Sequence, residues 1–207
     1  EESKILKKKI MVLIIILFII ILGGFIFMQQ IEHSKLESRR DKLIKHAFSL
    51  FEEQTALYIK ENYAGINKIE FSPIFFEEGG PNDYLSIQVV PVIYDQEGNK
   101  AYLGRKVGKT SFLSYGLHFG VEFDFGIDNE EIIVLENSKA GGDIDVSDAK
   151  TIPENAKMSK GYGIDDNISA LVKDGQLKNV EKKEGGSPQV EIVYNLEIQK
   201  GNYRKWR

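Results

Sequence analysis

The spacing of hydrophobic and polar positions changes character twice along the chain. Ile10 to Met28 is an apolar run of nineteen residues without a charge. As a helix rising about 1.5 Å per residue it reaches roughly 28 Å, close to the ~30 Å of a bilayer's hydrocarbon core. From Ser34 to about Asn62 the apolar positions recur with helical period. Leu43, Ala47, Leu50 and Leu57 mark one edge, and Ile44, Phe48, Phe51, Tyr58 and Ile59 lie beside them. This stripe is wide enough to cover a sheet, and Ala64-Gly65 ends it. Its opposite face, with Lys45, Glu52, Glu53, Lys60 and Glu61, reads as solvated.

Past Gly65 the period falls to two. Leu117, Phe119, Val121, Phe123 and Phe125 alternate with His118, Gly120, Glu122 and Asp124, and Val190 to Ile198 repeats the pattern. Both read as half-buried strands. Ile69–Phe76 and Tyr84–Tyr94 are further strands, each broken by a proline (Pro73, Pro91) that removes a ladder donor and implies an edge or a bulge. Turn clusters at 95–99 and 126–129 favour hairpins. Residues 136–186 are rich in Gly, Asp, Asn, Lys and Ser, and form a long loop insertion with one short helix near Ile164–Lys173. The predicted fold is α+β, with an N-terminal transmembrane helix and a long amphipathic helix on an antiparallel β-meander. The expected partition is a basic tail at 1–9, an anchor at 10–28, a polar stalk at 29–42 and an extracytoplasmic domain at 43–207.

Charge sets the orientation. The formal net charge is −4. Lys4, Lys7, Lys8 and Lys9 against two glutamates make the first nine residues basic, which leaves −6 for the rest. Lysines before the apolar run hold the N-terminus in the cytoplasm and send the C-terminal domain outward. The run exceeds a secretion signal's usual apolar stretch and ends in Gly23-Gly24-Phe25 rather than a small-x-small site, so retention is expected. An acidic domain argues against nucleic acid. With no cysteine, disulfides, thiolate chemistry and lipidated-cysteine anchoring are excluded.

Three constellations carry candidate chemistry. Gly104 to Thr110 has the look of a phosphate loop, but only three residues separate its glycines and a strand-like stretch follows, so a basic hairpin is expected. Asp143, Asp145, Ser147 and Glu154 place oxygens at positions 1, 3, 5 and 12 of a calcium loop, yet Asp148 stands where glycine is needed. His118, Glu122 and Asp124 align on one strand face without a nucleophile, as a solvated row would. No cofactor and no enzymatic activity are expected. Tyr162, Ile164 and Met158 in the insertion are the candidate partner-binding residues. The terminal Tyr203 and Trp206, set among basic residues, offer either a headgroup contact or the end of the last strand.

The segment Ala56 to Phe71, containing Ile-Lys-Glu-Asn-Tyr, together with the anchor, helix and sheet, resembles small Gram-positive envelope proteins with a cystatin-like domain. A cysteine-free domain outside the cell suits such a source. The resemblance covers about the first half of the chain and carries over no site residue. It implies a membrane-tethered binding protein, some examples of which are immunity proteins that neutralise secreted antibacterial toxins. The alternatives are a structural or accessory subunit of an envelope or secretion complex, and an envelope enzyme.

Overall fold

In the computed structural model, residues 2–78, 85–137 and 142–206 are described, with no side-chain description at 2–17, 19, 20, 22, 23, 25, 26, 137 and 162. Helix α1 runs Glu2–Asn62. It is followed by β1 Tyr63–Ala64, β2 Ile66–Phe71, β3 Ile74–Glu77, β4 Ser86–Val89, β5 Pro91–Asp95, β6 Lys100–Tyr102, β7 Lys106–Val107 and β8 Thr110–Ser111. Then come β9 Tyr115–Leu117, β10 Gly120–Phe125, β11 Glu131–Asn137, β12 Gly142–Asp145, α2 Tyr162–Lys173, β13 Glu181–Lys182, β14 Glu191–Val193 and β15 Ile198–Lys200. The chain divides into two units, Glu1–Lys42 and Leu43–Arg207.

The first unit is helical, and its described apolar side chains Phe18, Ile21, Phe27 and Met28 are exposed. Among the described residues no helix is long and apolar enough to cross a membrane. Most side chains of the expected anchor, Ile10–Met28, lie outside the described residues.

The second unit is α+β. Among the described residues a seven-stranded sheet has the order β12-β11-β10-β9-β4-β3-β15, and a four-stranded sheet the order β14-β2-β5-β6. The expected antiparallel meander is therefore corrected to two mixed sheets, since β14 lies parallel to β2, β15 to β3 and β9 to β10.

The prolines explain why. β2 pairs with β5 in one sheet, whereas their continuations β3 and β4 pair with each other in the other. Ser72-Pro73 and Val90-Pro91 stand at the corner where this long hairpin passes between sheets. A proline cannot donate to a ladder, and Ser72 compensates there. Its N–H donates to Val90 O at 3.1 Å, and its Oγ accepts from Val90 N at 2.8 Å. Strands that change sheets at a bend are a known way to make such corners. The terminal strand turns the same corner: Val190–Ile198 is one strand by its alternation, but β14 and β15 sit in different sheets and 194–197 bridges them.

The portion of α1 from Leu43 onward is buried nearly all round, not on one stripe. Ile44, Ala47, Phe48, Leu50 and Ile59 are fully buried, and so are the polar Gln54 and Thr55 and, on the side expected to face water, Glu52. Residues 149–187 cover much of this helix, and Asn195 covers Glu52. His46 bonds Ala149 O at 2.8 Å, Glu53 accepts from Ile152 N at 2.8 Å, and Gln54 donates to Ala156 O at 2.7 Å. Lys60 O and Asn62 O, near the helix end, accept from Ser187 N and Lys183 N, each at 2.8 Å. Those orphan carbonyls need partners in any helix. The described part of the insertion is thus a wrap whose Ile152, Ala156, Ile164, Ile168 and Leu171 enter the main core.

Candidate functional site: an apolar groove beside the wrapped helix

Three segments converge on one side of α1 and leave a groove of about 580 Å³. α1 contributes Phe51, Gln54 and Thr55; the stretch 111–120 contributes Phe112, Leu113 and Phe119; the wrap contributes Met158, Gly161 and Ile164. This volume falls within the range of ligand pockets, about 300–1,000 Å³. At the mouth Leu113 is 69% exposed and Phe119 42%.

The local chain path produces this geometry. Leu117 to Phe125, one strand by its alternation, is broken between β9 and β10. Gly116 and Gly120 have φ of 145° and 112°, and His118 a φ of 65°. This tight step turns Phe119 outward while Leu117 and Val121 stay buried. A Cβ on Gly120 would lie 2.5 Å from the Phe51 ring, so glycine is required for the chain to approach the helix so closely. On the opposite wall, a Cβ on Gly161 would lie 2.3 Å from the Tyr58 ring.

Polar groups interrupt this lining, among them Gln54, Thr55, Ser111, Ser114 and His118. Gln54 is tied down by its bonds to Ala156 O and, at 3.2 Å, Glu136 O. Thr55 is fully buried, and among the described residues its Oγ1 has no hydrogen-bond partner. Glu136 and Asp166 stand exposed on the lining, as does Lys160. His118 Nδ1 pairs with Glu122 at 3.0 Å on the exposed rim. The sequence placed His118, Glu122 and Asp124 in one row along a strand. The structure retains the His118–Glu122 pair but puts His118 in the turn before β10.

Below the groove, Asp165 accepts from Tyr58 Oη at 2.8 Å, Tyr63 Oη at 2.6 Å and Lys182 Nζ. Burial, then the Asp165 carboxylate, pushes the Tyr63 hydroxyl far above its ordinary range. Burial raises Tyr58 too, and it stays raised although Lys182 pulls it back. Both tyrosines are therefore protonated donors at neutral pH, and the cluster fastens the first turn of α2 to α1. His46 is fastened in the same way. Its Nδ1 meets Glu131 at 2.8 Å and its Nε2 meets Ala149 O at 2.8 Å. Two acceptors require both ring nitrogens to donate, which is the imidazolium form. Burial pulls its pKa down, but the bonds to Ala149 and Glu131 outweigh that and leave it raised.

No family model matches this chain, and neither a curated protein nor a solved structure matches it. The site is therefore read from its geometry alone.

The other sequence candidates fall into place individually. Asp145 accepts from Ser147 N at 2.9 Å and from Ser147 Oγ, and Ser147 Oγ accepts from Ile133 N at 2.9 Å. Glu154 pairs with Lys157 at 2.7 Å, and Asp143 is exposed on β12. Among the described residues no three acidic or histidine side chains gather to hold a metal. Gly104–Thr110 falls on the hairpin β7–β8, which closes at Ser111, with Gly104 N donating to Asn167 Oδ1 at 2.7 Å. Of the partner-binding candidates, Ile164 is 5% exposed and belongs to the core while lining the inner wall of the groove. Met158 is half-buried on the groove wall, and the side chain of Tyr162 lies outside the described residues. Tyr203 and Trp206 pack with Phe75 and Val92 on the sheets.

Sequence reasoning missed Leu113, Phe119 and Thr55. Leu113 offered one signal, an apolar residue between Phe112 and Ser114 that fits no strand phase. The glycines at 116 and 120, flanking His118 and Phe119, offered another.

Proposed function

We propose that this chain is a non-enzymatic binding protein tethered to the cell membrane, with its second unit outside the cytoplasm. Neutralisation of a secreted antibacterial toxin is the sharpest form of this reading. The observation that carries it is the groove, whose mouth exposes Leu113 and Phe119 next to a mostly apolar lining. Exposed apolar side chains clustered around a concavity mark interaction sites more often than isolated ones do. The uncharged run Ile10–Met28 behind four lysines supports the tether and its orientation. A tether raises the local concentration of a binder where an envelope-directed partner must arrive. The cystatin-like comparison from the sequence supports only the general plan of a helix against a sheet.

A subunit role in an envelope complex is the second reading, favoured by the exposed Phe18, Ile21, Phe27 and Met28, which suit either lipid or neighbouring helices.

The test is protection. Expressing the full chain in cells sensitive to the toxin-containing medium of a producing strain should protect them. The Leu113→Ser plus Phe119→Ser variant, present at the same level in the membrane, should not. Equal protection by both proteins would remove the groove from the function, and absence of protection by either would favour the subunit.

A further inference from the structure

We infer that the occupant of the groove is an apolar polypeptide segment carrying positive charge, the face of a cationic amphipathic peptide. This rests on the binding reading above and names the chemistry of the partner. The walls presented by Phe51, Phe112, Leu113, Phe119 and Met158 select apolar side chains, and the unbranched thioether of Met158 adapts to their shape.

Charge decides between the apolar ligands that remain. Two carboxylates, Glu136 and Asp166, stand exposed on the lining, and among the described residues neither side chain has an ion-pair partner. The lysine on the same lining, Lys160, already has an interaction of its own. A lipid headgroup or other phosphate would meet repulsion from these carboxylates, and a neutral acyl chain would leave them unused. Lysine or arginine beside apolar residues satisfies both features, and complementary charge of this kind speeds encounter and fixes orientation. A second observation is independent of the rim. Thr55 Oγ1 is buried on the α1 wall without a hydrogen-bond partner among the described residues, although buried hydroxyls are normally bonded. A peptide provides backbone donors and acceptors for it, whereas an acyl chain does not.

The experiment uses the full chain in phosphatidylcholine nanodiscs, with empty discs as reference. Fluorescence anisotropy follows a labelled amphipathic peptide of leucine and lysine, and its counterpart of leucine and glutamate. The leucine–lysine peptide should bind saturably. Leu113→Ser plus Phe119→Ser should weaken it by about tenfold or more, as loss of an apolar anchor does. Glu136→Lys plus Asp166→Lys should invert the preference between the two peptides. Leu113, Glu136 and Asp166 are exposed, and an unchanged melting temperature establishes that the variants are folded. Ile127→Ser, at the fully exposed tip between β10 and β11, should change nothing. If both peptides bind equally and the Leu113/Phe119 variant weakens both, the charge inference is overturned while the groove remains a binding site. Binding that is indifferent to every groove variant, or that matches empty discs, overturns the proposal and the groove with it.

Discussion

Glu52 lies on the helix face that the sequence predicts to be solvated, yet it is 0% exposed. Its carboxyl accepts from Asn195 N at 3.2 Å, in the bridge between β14 and β15. Burial raises its pKa to about 9, with the Asn195 bond pulling the other way, so the side chain is a neutral acid at pH 7. An acid whose folded value lies above its unfolded one stabilises the fold fully below the unfolded value. That contribution is lost as pH rises through the folded value. Between pH 4.5 and pH 7 the loss is on the order of 3 kcal/mol, from about 1.4 kcal/mol per unit. Urea unfolding of Glu52→Gln at several pH values should give a flatter decline than the parent protein over that range, and parallel declines would mean that Glu52 ionises in the fold. His46 follows the same direction by a different route. Its raised folded value makes the Glu131 and Ala149 bonds stabilising below about pH 6.5, the unfolded value, and that contribution fades as pH climbs through the folded one. Glu131→Gln should therefore cost most stability near pH 5 and least near pH 9 in the same measurement. A cost independent of pH would place a neutral imidazole at this contact. Gly120→Ala tests the close approach of strand and helix: with φ at 112° and Phe51 2.5 Å from the added carbon, a loss of about 2 kcal/mol or more is expected from thermal melts.

The elements were legible where one local pattern sufficed. The helical stripe from Leu43 to Ile59, the end of the helix near Gly65, the strand character within 69–76 and 117–125, and a helix reaching Lys173 could all be read from period and breakers. Three features could not, because each depends on residues distant in sequence. Pro73 and Pro91 announced an interruption, but only their pairing across the hairpin makes a corner between sheets. Glu52 has the composition of a wet helix face, and it is buried because Asn195, far along the chain, supplies its cover, as Ala156 does for Gln54. The glycines and charges of the insertion predict a loop with one short helix, although its sparse apolar residues Ile152, Ile164, Ile168 and Leu171 are spent on the core. Replacing residues 140–180 with a short Gly/Ser linker should therefore abolish cooperative unfolding, since it strips the cover from buried polar groups of α1 as well as from the core. A cooperative transition with near-native stability in that variant, followed by circular dichroism, would show the wrap to be dispensable.

For the molecule as a whole, a hydrophobic run with a basic flank is joined to an α+β unit whose groove is apolar with an acidic rim. The first part predicts that the full chain sediments with membranes and resists carbonate extraction; recovery in the soluble fraction would count against the tether. The second part follows from packing. The α1 surface from Leu43 onward is largely used up inside the unit, so recognition falls to the groove mouth rather than to the helix. The most direct measurement is site-specific photo-crosslinking of the full chain in living cells. A photoreactive residue is placed at Leu113 in one protein and at Ile127, the exposed tip of the β10–β11 hairpin, in another. A discrete crosslinked polypeptide is expected from Leu113, lost when Glu136 and Asp166 are changed to lysine, and none from Ile127. Equal crosslinking from both positions, or a Leu113 product indifferent to those charges, would contradict it.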